Sequence, residues 1–174
     1  LPALDGALLV SLPDGRHAPV DARQVFGFQA DLLRQLQAPL DLPLGYCFSY
    51  PARVEPSGDA RLLNWTKGIH VSGVVGQLVG QALRASMGSP GRVKVLNDTV
   101  ACLLGGAFWA GADYPNYIGL IVGTGTNMAT FLPVASVPKL AAGWQGPLAV
   151  NLESGNFHPP HLHDADDDID QASD

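Results

Sequence analysis

Basic side chains are scarce in this chain: 10 Lys and Arg stand against 16 Asp and Glu, a formal net charge of −6. With a pI near 5.1 there is no basic surface to neutralise phosphates, which argues against nucleic acid or an anionic membrane as partner. Cysteine is equally sparse. Cys47 and Cys102 sit in apolar stretches and are expected as small buried hydrophobes, not as a disulfide pair. No apolar run approaches the ~18 residues needed to span a bilayer. Residues 1–10 lack a basic stretch and contain Asp5, so they do not read as a secretory signal. The loop at 123–127 lacks a third glycine and leads into strand-like residues, which excludes a dinucleotide fingerprint. These absences leave a soluble, cytoplasmic protein as the expectation.

What is present is a fairly apolar chain, 47% hydrophobic over 174 residues, long enough to bury roughly 70% of the surface its unfolded form exposes. Residues 7–12 read as a strand, Pro13-Asp14-Gly15 as a turn, and 16–20 as the returning hairpin partner. Phe28, Leu32, Leu33 and Leu36 have helical spacing and predict a helix over 26–36, which Pro39 and Pro43 break. Residues 44–49 read as an aromatic-rich strand, and 52–61 as a polar loop. Val71, Val74, Val75, Leu78, Val79, Ala82 and Leu83 fall on one face of a helix predicted over 71–87. Strands are expected at 117–122 and 128–132, and a strand running into a loop at 150–157. The order implies an α/β architecture.

The chain is organised around Val93-Lys-Val-Leu-Asn-Asp-Thr99. Strand residues end in Asn97 and Asp98, and a run apolar nearly all round follows over 100–110, predicting a buried helix. Polar side chains at the end of such a strand sit where open α/β sheets bind ligands. Asp98 or Thr99 could equally serve only as the helix cap.

Five motifs in order decide between these readings. Leu44-Gly-Tyr-Cys-Phe-Ser-Tyr-Pro51, Leu62-Leu-Asn-Trp-Thr-Lys-Gly68, Asn97-Asp98-Thr99, Ile118-Gly-Leu-Ile-Val-Gly-Thr-Gly-Thr-Asn127 and Asn151-Leu152-Glu153 resemble the eukaryotic-type hexokinases and glucokinases. The resemblance covers roughly residues 26–170. It implies an actin-like ATPase (ribonuclease H-like) fold whose two lobes close over a hexose, with 1–97 in the smaller lobe and 98–174 opening the larger. It also implies ATP-dependent phosphorylation of a hexose, glucose foremost, at its 6-hydroxyl. Asp98 is then the general base, and Lys67 contacts the sugar and supplies positive charge near the reacting centre. Ser49, Thr66, Asn97, Asn127 and Glu153 are the matching sugar-contact positions, and Gly123, Thr124 and Gly125 match the second phosphate-binding loop. ATP with Mg²⁺ is the implied donor, the metal held mainly by phosphates and water.

The chain also departs from the family's pattern. The family's Asp-Leu-Gly-Gly-Thr-Asn-Phe-Arg segment corresponds at most to Leu4-Asp5-Gly6, and its Glu-Trp-Gly-Ala-Phe appears as Glu153-Ser-Gly-Asn-Phe157. The expectation is a member truncated at both ends of the ATP site. A non-catalytic hexose-binding module is the alternative reading. His158, His161 and His163 beside Asp164, Asp166, Asp167, Asp168 and Asp170 have metal-binding chemistry, but such a polar tail reads as solvated, so no metal site is expected.

Overall fold

Asp21 starts the first helix. Its Oδ1 accepts the Gln24 amide N–H at 2.9 Å, and Gln24 Oε1 accepts the Asp21 amide N–H at 2.9 Å, a reciprocal capping box. Helix α1, Ala22–Gln35, therefore begins four residues before the expected start and buries Val25, Phe26 and Ala30. The computed structural model describes residues 11–39, 41–88, 91–111, 113–123, 125–139, 146–157, 161, 163–166 and 168. The chain divides into two compact units, Leu1–Asp98 and Thr99–Asp174.

In the first unit, of the expected returning strand 16–20 only Val20 lies in a strand. Residues 7–10 lie outside the described residues, and β1, Val20–Asp21, pairs in parallel with β5, Val71–Ser72. Residues 52–61 are not simply a polar loop: β3, Ala52–Val54, and β4, Ala60–Leu62, form an antiparallel hairpin. Its polar side chains pair with one another, Arg61 Nε lying 3.2 Å from Glu55 Oε1, while Ala60 and Leu62 are buried. The expected helix over 71–87 is also shortened. Gly73 and Gly76 adopt φ of 73° and 81°, which breaks the helical path, so only Val79–Met87 is helical (α2), capped by left-handed Gly88. Val71, Val74, Val79 and Leu83 all reach the core, but from a strand, a turn and a helix. Their spacing reported burial, not one continuous helix.

β2, Leu44–Cys47, and β6, Val93–Leu96, run parallel with Tyr46 opposite Val95 and Cys47 opposite Leu96. Asp59, a buried carboxylate, secures this region. Its Oδ1 accepts the N–H of Ala60 at 2.7 Å and of Gly80 at 2.8 Å, and its Oδ2 accepts that of Gln81 at 2.8 Å. It thereby satisfies amides at the start of α2 that no intrahelical carbonyl can reach. A Cβ at Gly80 would lie 2.7 Å from Asp59 Oδ1, so glycine is required there.

The second unit packs α3, Asp98–Ala110, on an antiparallel sheet ordered β7-β8-β9: Ile118–Val122, Thr126–Pro133 and Pro147–Asn151. A Cβ at Gly119 would stand 2.8 Å from the Thr99 carbonyl oxygen, so the glycine permits helix and strand to touch. Helix α3 is not buried all round. Thr99, Val100 and Leu103 are covered, whereas Phe108 is 88% and Trp109 70% exposed, because the sheet meets one helical face. Ile118, Leu120 and Val122 are likewise exposed along one face of β7. Both cysteines are free and exposed, contrary to the burial expected from their apolar neighbours. Among the described residues, no helix is long and apolar enough to cross a membrane.

Candidate functional site

The parallel pairing of β2 with β6 brings their carboxyl ends side by side, and the Phe48 amide still donates to the Leu96 carbonyl at 2.8 Å. Immediately beyond, Ser49 Oγ accepts the Asp98 amide N–H at 3.1 Å. The Ser49 carbonyl accepts from Lys67 Nζ at 3.3 Å. That ammonium also lies 5.5 Å from the Tyr50 ring centroid, within cation–π range. Ser49, Lys67 and Asp98 are thus joined by hydrogen bonds. Half-buried Asn97 precedes Asp98 at the strand end, and half-buried Thr66 shares a turn with Lys67.

That turn has an unusual backbone. Lys67 and Gly68 adopt φ of 58° and 68°, and the Ile69 amide donates to the Thr66 carbonyl at 3.2 Å, as in a type I′ turn. Glycine takes the left-handed region freely; lysine does so at a cost. Neighbouring groups hold it there. The Trp65 ring packs 4.9 Å from Tyr50 and 5.9 Å from Phe48, and its Nε1–H donates to the Val71 carbonyl at 2.8 Å. Burial pushes the Tyr50 phenol up from its ordinary pKa.

A second loop braces the turn. The Asp14 carbonyl accepts the His70 amide N–H at 2.9 Å, and Gly15, at φ 78°, sits so close to the His70 carbonyl that a Cβ would overlap it. The Arg16 amide donates to Asp14 at 3.0 Å; this bond holds the Asp14 carboxyl below its ordinary pKa, with help from the Arg16 guanidinium. Gly15, Arg16, His17, Trp65 and His70 border an open cavity of about 580 Å³.

In the second unit, Asn127 on β8 and Glu153 just after β9 are brought together through Asn151. Asn127 Nδ2 donates to Asn151 Oδ1 at 2.7 Å, and Asn151 Nδ2 donates to Glu153 Oε1 at 2.5 Å. Asn127 Oδ1 in turn accepts the amides of Met128 at 2.8 Å and Ser154 at 3.3 Å. Glu153 is left-handed, at φ 49° and ψ 44°. Sequence reading placed Asn151 in a motif but gave it no role; its signal was a carboxamide two residues before the glutamate, leaving the end of a strand. Glu153, Ser154, Met128, Leu152 and Phe157 line a recess of about 460 Å³.

Gly123 and Gly125 are exposed at the β7–β8 turn, the Gly123 amide donating to the Gly125 carbonyl at 2.9 Å. Thr124 lies outside the described residues, as does most of the acidic tail. Among the described residues, no group of three or more His, Cys, Asp or Glu is gathered to hold a metal.

Two family models, both described as hexokinase, match residues 22–108 and 117–174. Hexokinase-1 of Nicotiana tabacum is 36% identical over 129 residues, which is 68% of this chain and 24% of that protein. Hexokinase-3 of Mus musculus is 40% identical over 125 residues, 67% of this chain and 13% of that protein. The hexokinase of Kluyveromyces lactis is 34% identical over 70% of this chain and 26% of its own length. The chain therefore spans about a quarter or less of these curated relatives. Among solved structures, a Schistosoma mansoni hexokinase complexed with glucose matches at a TM-score of 0.69 and 29% identity, over 85% of this chain and 34% of that one. A second hexokinase crystal structure matches at 0.71 and 29%, over 96% of this chain and 38% of that one. The architecture is accordingly that of the actin-like ATPases, as the motifs implied. With both family models matching in chain order and the strand-end motifs in place, this chain belongs to the hexokinase family.

Proposed function

We propose that this chain carries the hexose site and catalytic base of an ATP-dependent hexose 6-kinase, with glucose as the sugar. The observation that carries this reading is Ser49 holding both Asp98 and Lys67 at the carboxyl ends of β2 and β6. Phosphoryl transfer needs an oriented acceptor and neutralised charge more than covalent help. Asp98 takes the proton of the sugar's 6-hydroxyl, and Lys67 supplies positive charge to the arriving phosphoryl group. Ser49, Thr66 and Asn97 in the first unit, and Asn127 and Glu153 in the second, offer short polar groups suited to ring hydroxyls. Each set rests on its own geometry. On this reading 1–97 corresponds to the smaller lobe and 98–174 opens the larger.

ATP supplies the phosphoryl group, and Mg²⁺ neutralises its charge. Among the described residues, a Cβ at Gly123 or Gly125 would meet nothing within 4 Å, and neither glycine has the φ that demands one. Neither packing nor backbone conformation calls for glycine there, which supports close approach of a phosphate to the turn's amides. The second reading is a hexose-binding module without transfer.

Thermal unfolding with glucose, then with glucose and Mg-ATP, separates the two. A ligand at a hundred times its Kd adds about 2.7 kcal/mol to native stability. Shifts with both ligands, and glucose 6-phosphate formed in a coupled assay, are expected of the kinase. A glucose shift alone assigns the binding module, and no shift with glucose overturns both.

A further inference from the structure

Asn151 opens the fifth motif with no role given to it there, yet it is bonded to two residues that have one. Its Oδ1 accepts from Asn127 and its Nδ2 donates to Glu153, at 2.7 and 2.5 Å. A carboxamide is the one side chain of this length that accepts on one branch and donates on the other. The two bonds also fix the Asn127 amide orientation: with Nδ2 committed to Asn151, Oδ1 faces the amides of Met128 and Ser154. Glu153 is anchored at one oxygen of its carboxylate while its backbone is held left-handed. Among the described residues, Glu153 is the only ionisable group bonded into this cluster.

We infer that Asn151 is the positioning residue of the second unit's sugar ligands, orienting Asn127 and Glu153 together without touching the sugar. The inference rests on the hexose reading above. It adds a coupling: losing Asn151 weakens sugar binding as much as losing Asn127, and the two losses are not additive, since both break one network.

The test is glucose affinity by titration calorimetry on the whole chain, for wild type and for Asn127→Ala, Asn151→Leu, the double variant and Asn151→Asp, with circular dichroism of each. Asn151→Leu is expected to raise Kd about tenfold, and the double variant no more than about twice that of either single. Asn151→Asp keeps the acceptor for Asn127 but sets a second carboxylate against Glu153. Two carboxylates at that distance cannot both be ionised without repulsion, and one shared proton restores the donor. Its Kd relative to wild type should therefore fall as pH is lowered from about 7.5 to about 5. Wild type failing to bind glucose overturns the hexose reading and this inference with it. Wild type binding while Asn151→Leu binds equally well overturns the inference alone. If Asn151→Leu does not fold, Asn151→Asp decides: recovery at low pH supports the positioning role, and a loss independent of pH overturns it.

Discussion

The Ser49 hydroxyl accepts the Asp98 amide at 3.1 Å, so a residue leaving one parallel strand fixes the start of the segment that leaves its neighbour. The bond pins the backbone of Asp98, and the Ser49 carbonyl holds Lys67 at the same place. Ser49→Ala removes the first interaction and spares the second. A loss of about 1 kcal/mol in unfolding free energy by urea denaturation is expected, with glucose affinity falling in the same variant. Unchanged affinity would confine Ser49 to the fold.

Asp98→Asn keeps the shape and the backbone while removing the proton acceptor. A positioned general base contributes on the order of 10²- to 10⁴-fold. A loss of that size in kcat, with glucose Kd altered less than tenfold, is the expected result in the coupled assay. A variant turning over like the wild type would remove Asp98 from the chemistry.

Lys67 and Glu153 adopt left-handed backbones that ordinary side chains occupy at a cost of about 1 kcal/mol or more. Lys67→Gly relieves that strain, so the melting temperature should stay level or rise. The same change deletes the ammonium near Ser49 and Tyr50, so phosphorylation should fall. A rise in activity, or a melting temperature lowered by several degrees, would contradict the idea that strain is retained for function.

Asp59 accepts three backbone N–H groups while buried. Asp59→Ala strands those donors, and roughly 3 kcal/mol of stability should be lost, read as a lower urea midpoint at unchanged slope. Asp59→Asn is expected to recover only part, because its carboxamide carries one acceptor oxygen where the carboxylate has two.

Burial pushes the Tyr46 phenol up from 10.0 to about 12, partly offset by a hydrogen bond with Gln29. The folded value is raised, so the contribution to stability is complete below pH 10 and is lost as pH rises toward 12. Thermal unfolding followed between those pH values should show the decline, and Tyr46→Phe should flatten it. The span is about 2 to 3 kcal/mol.

Much of the candidate site was legible because the proposed residues lie in short contiguous motifs. Ser49, Thr66-Lys67 and Asn97-Asp98 each follow a strand or open a turn, and local pattern is enough to find them. The strands 44–47, 93–96 and 118–122 were readable for the same reason: each is an apolar run bounded by turn or polar residues.

What only the tertiary structure decided is how separated side chains complete one another. Nothing local distinguishes Val71 in a parallel strand from Val79 in a helix; the left-handed Gly73 and Gly76 between them do, and their φ depends on the core both valines enter. Asp59 reads as one residue of a polar loop until its carboxylate meets the start of α2, 21 positions away at Gly80. Asn151 reads as a strand end until Asn127 approaches it from 24 positions away. Sequence by itself carried the motifs that resemble the family, the α/β order and the polar residues at the strand ends, because each of these is written in short contiguous stretches of the chain. The tertiary structure decided which of those groups are held, by whom and at what angle, because a hydrogen bond between distant residues is specified by the packing that brings them together.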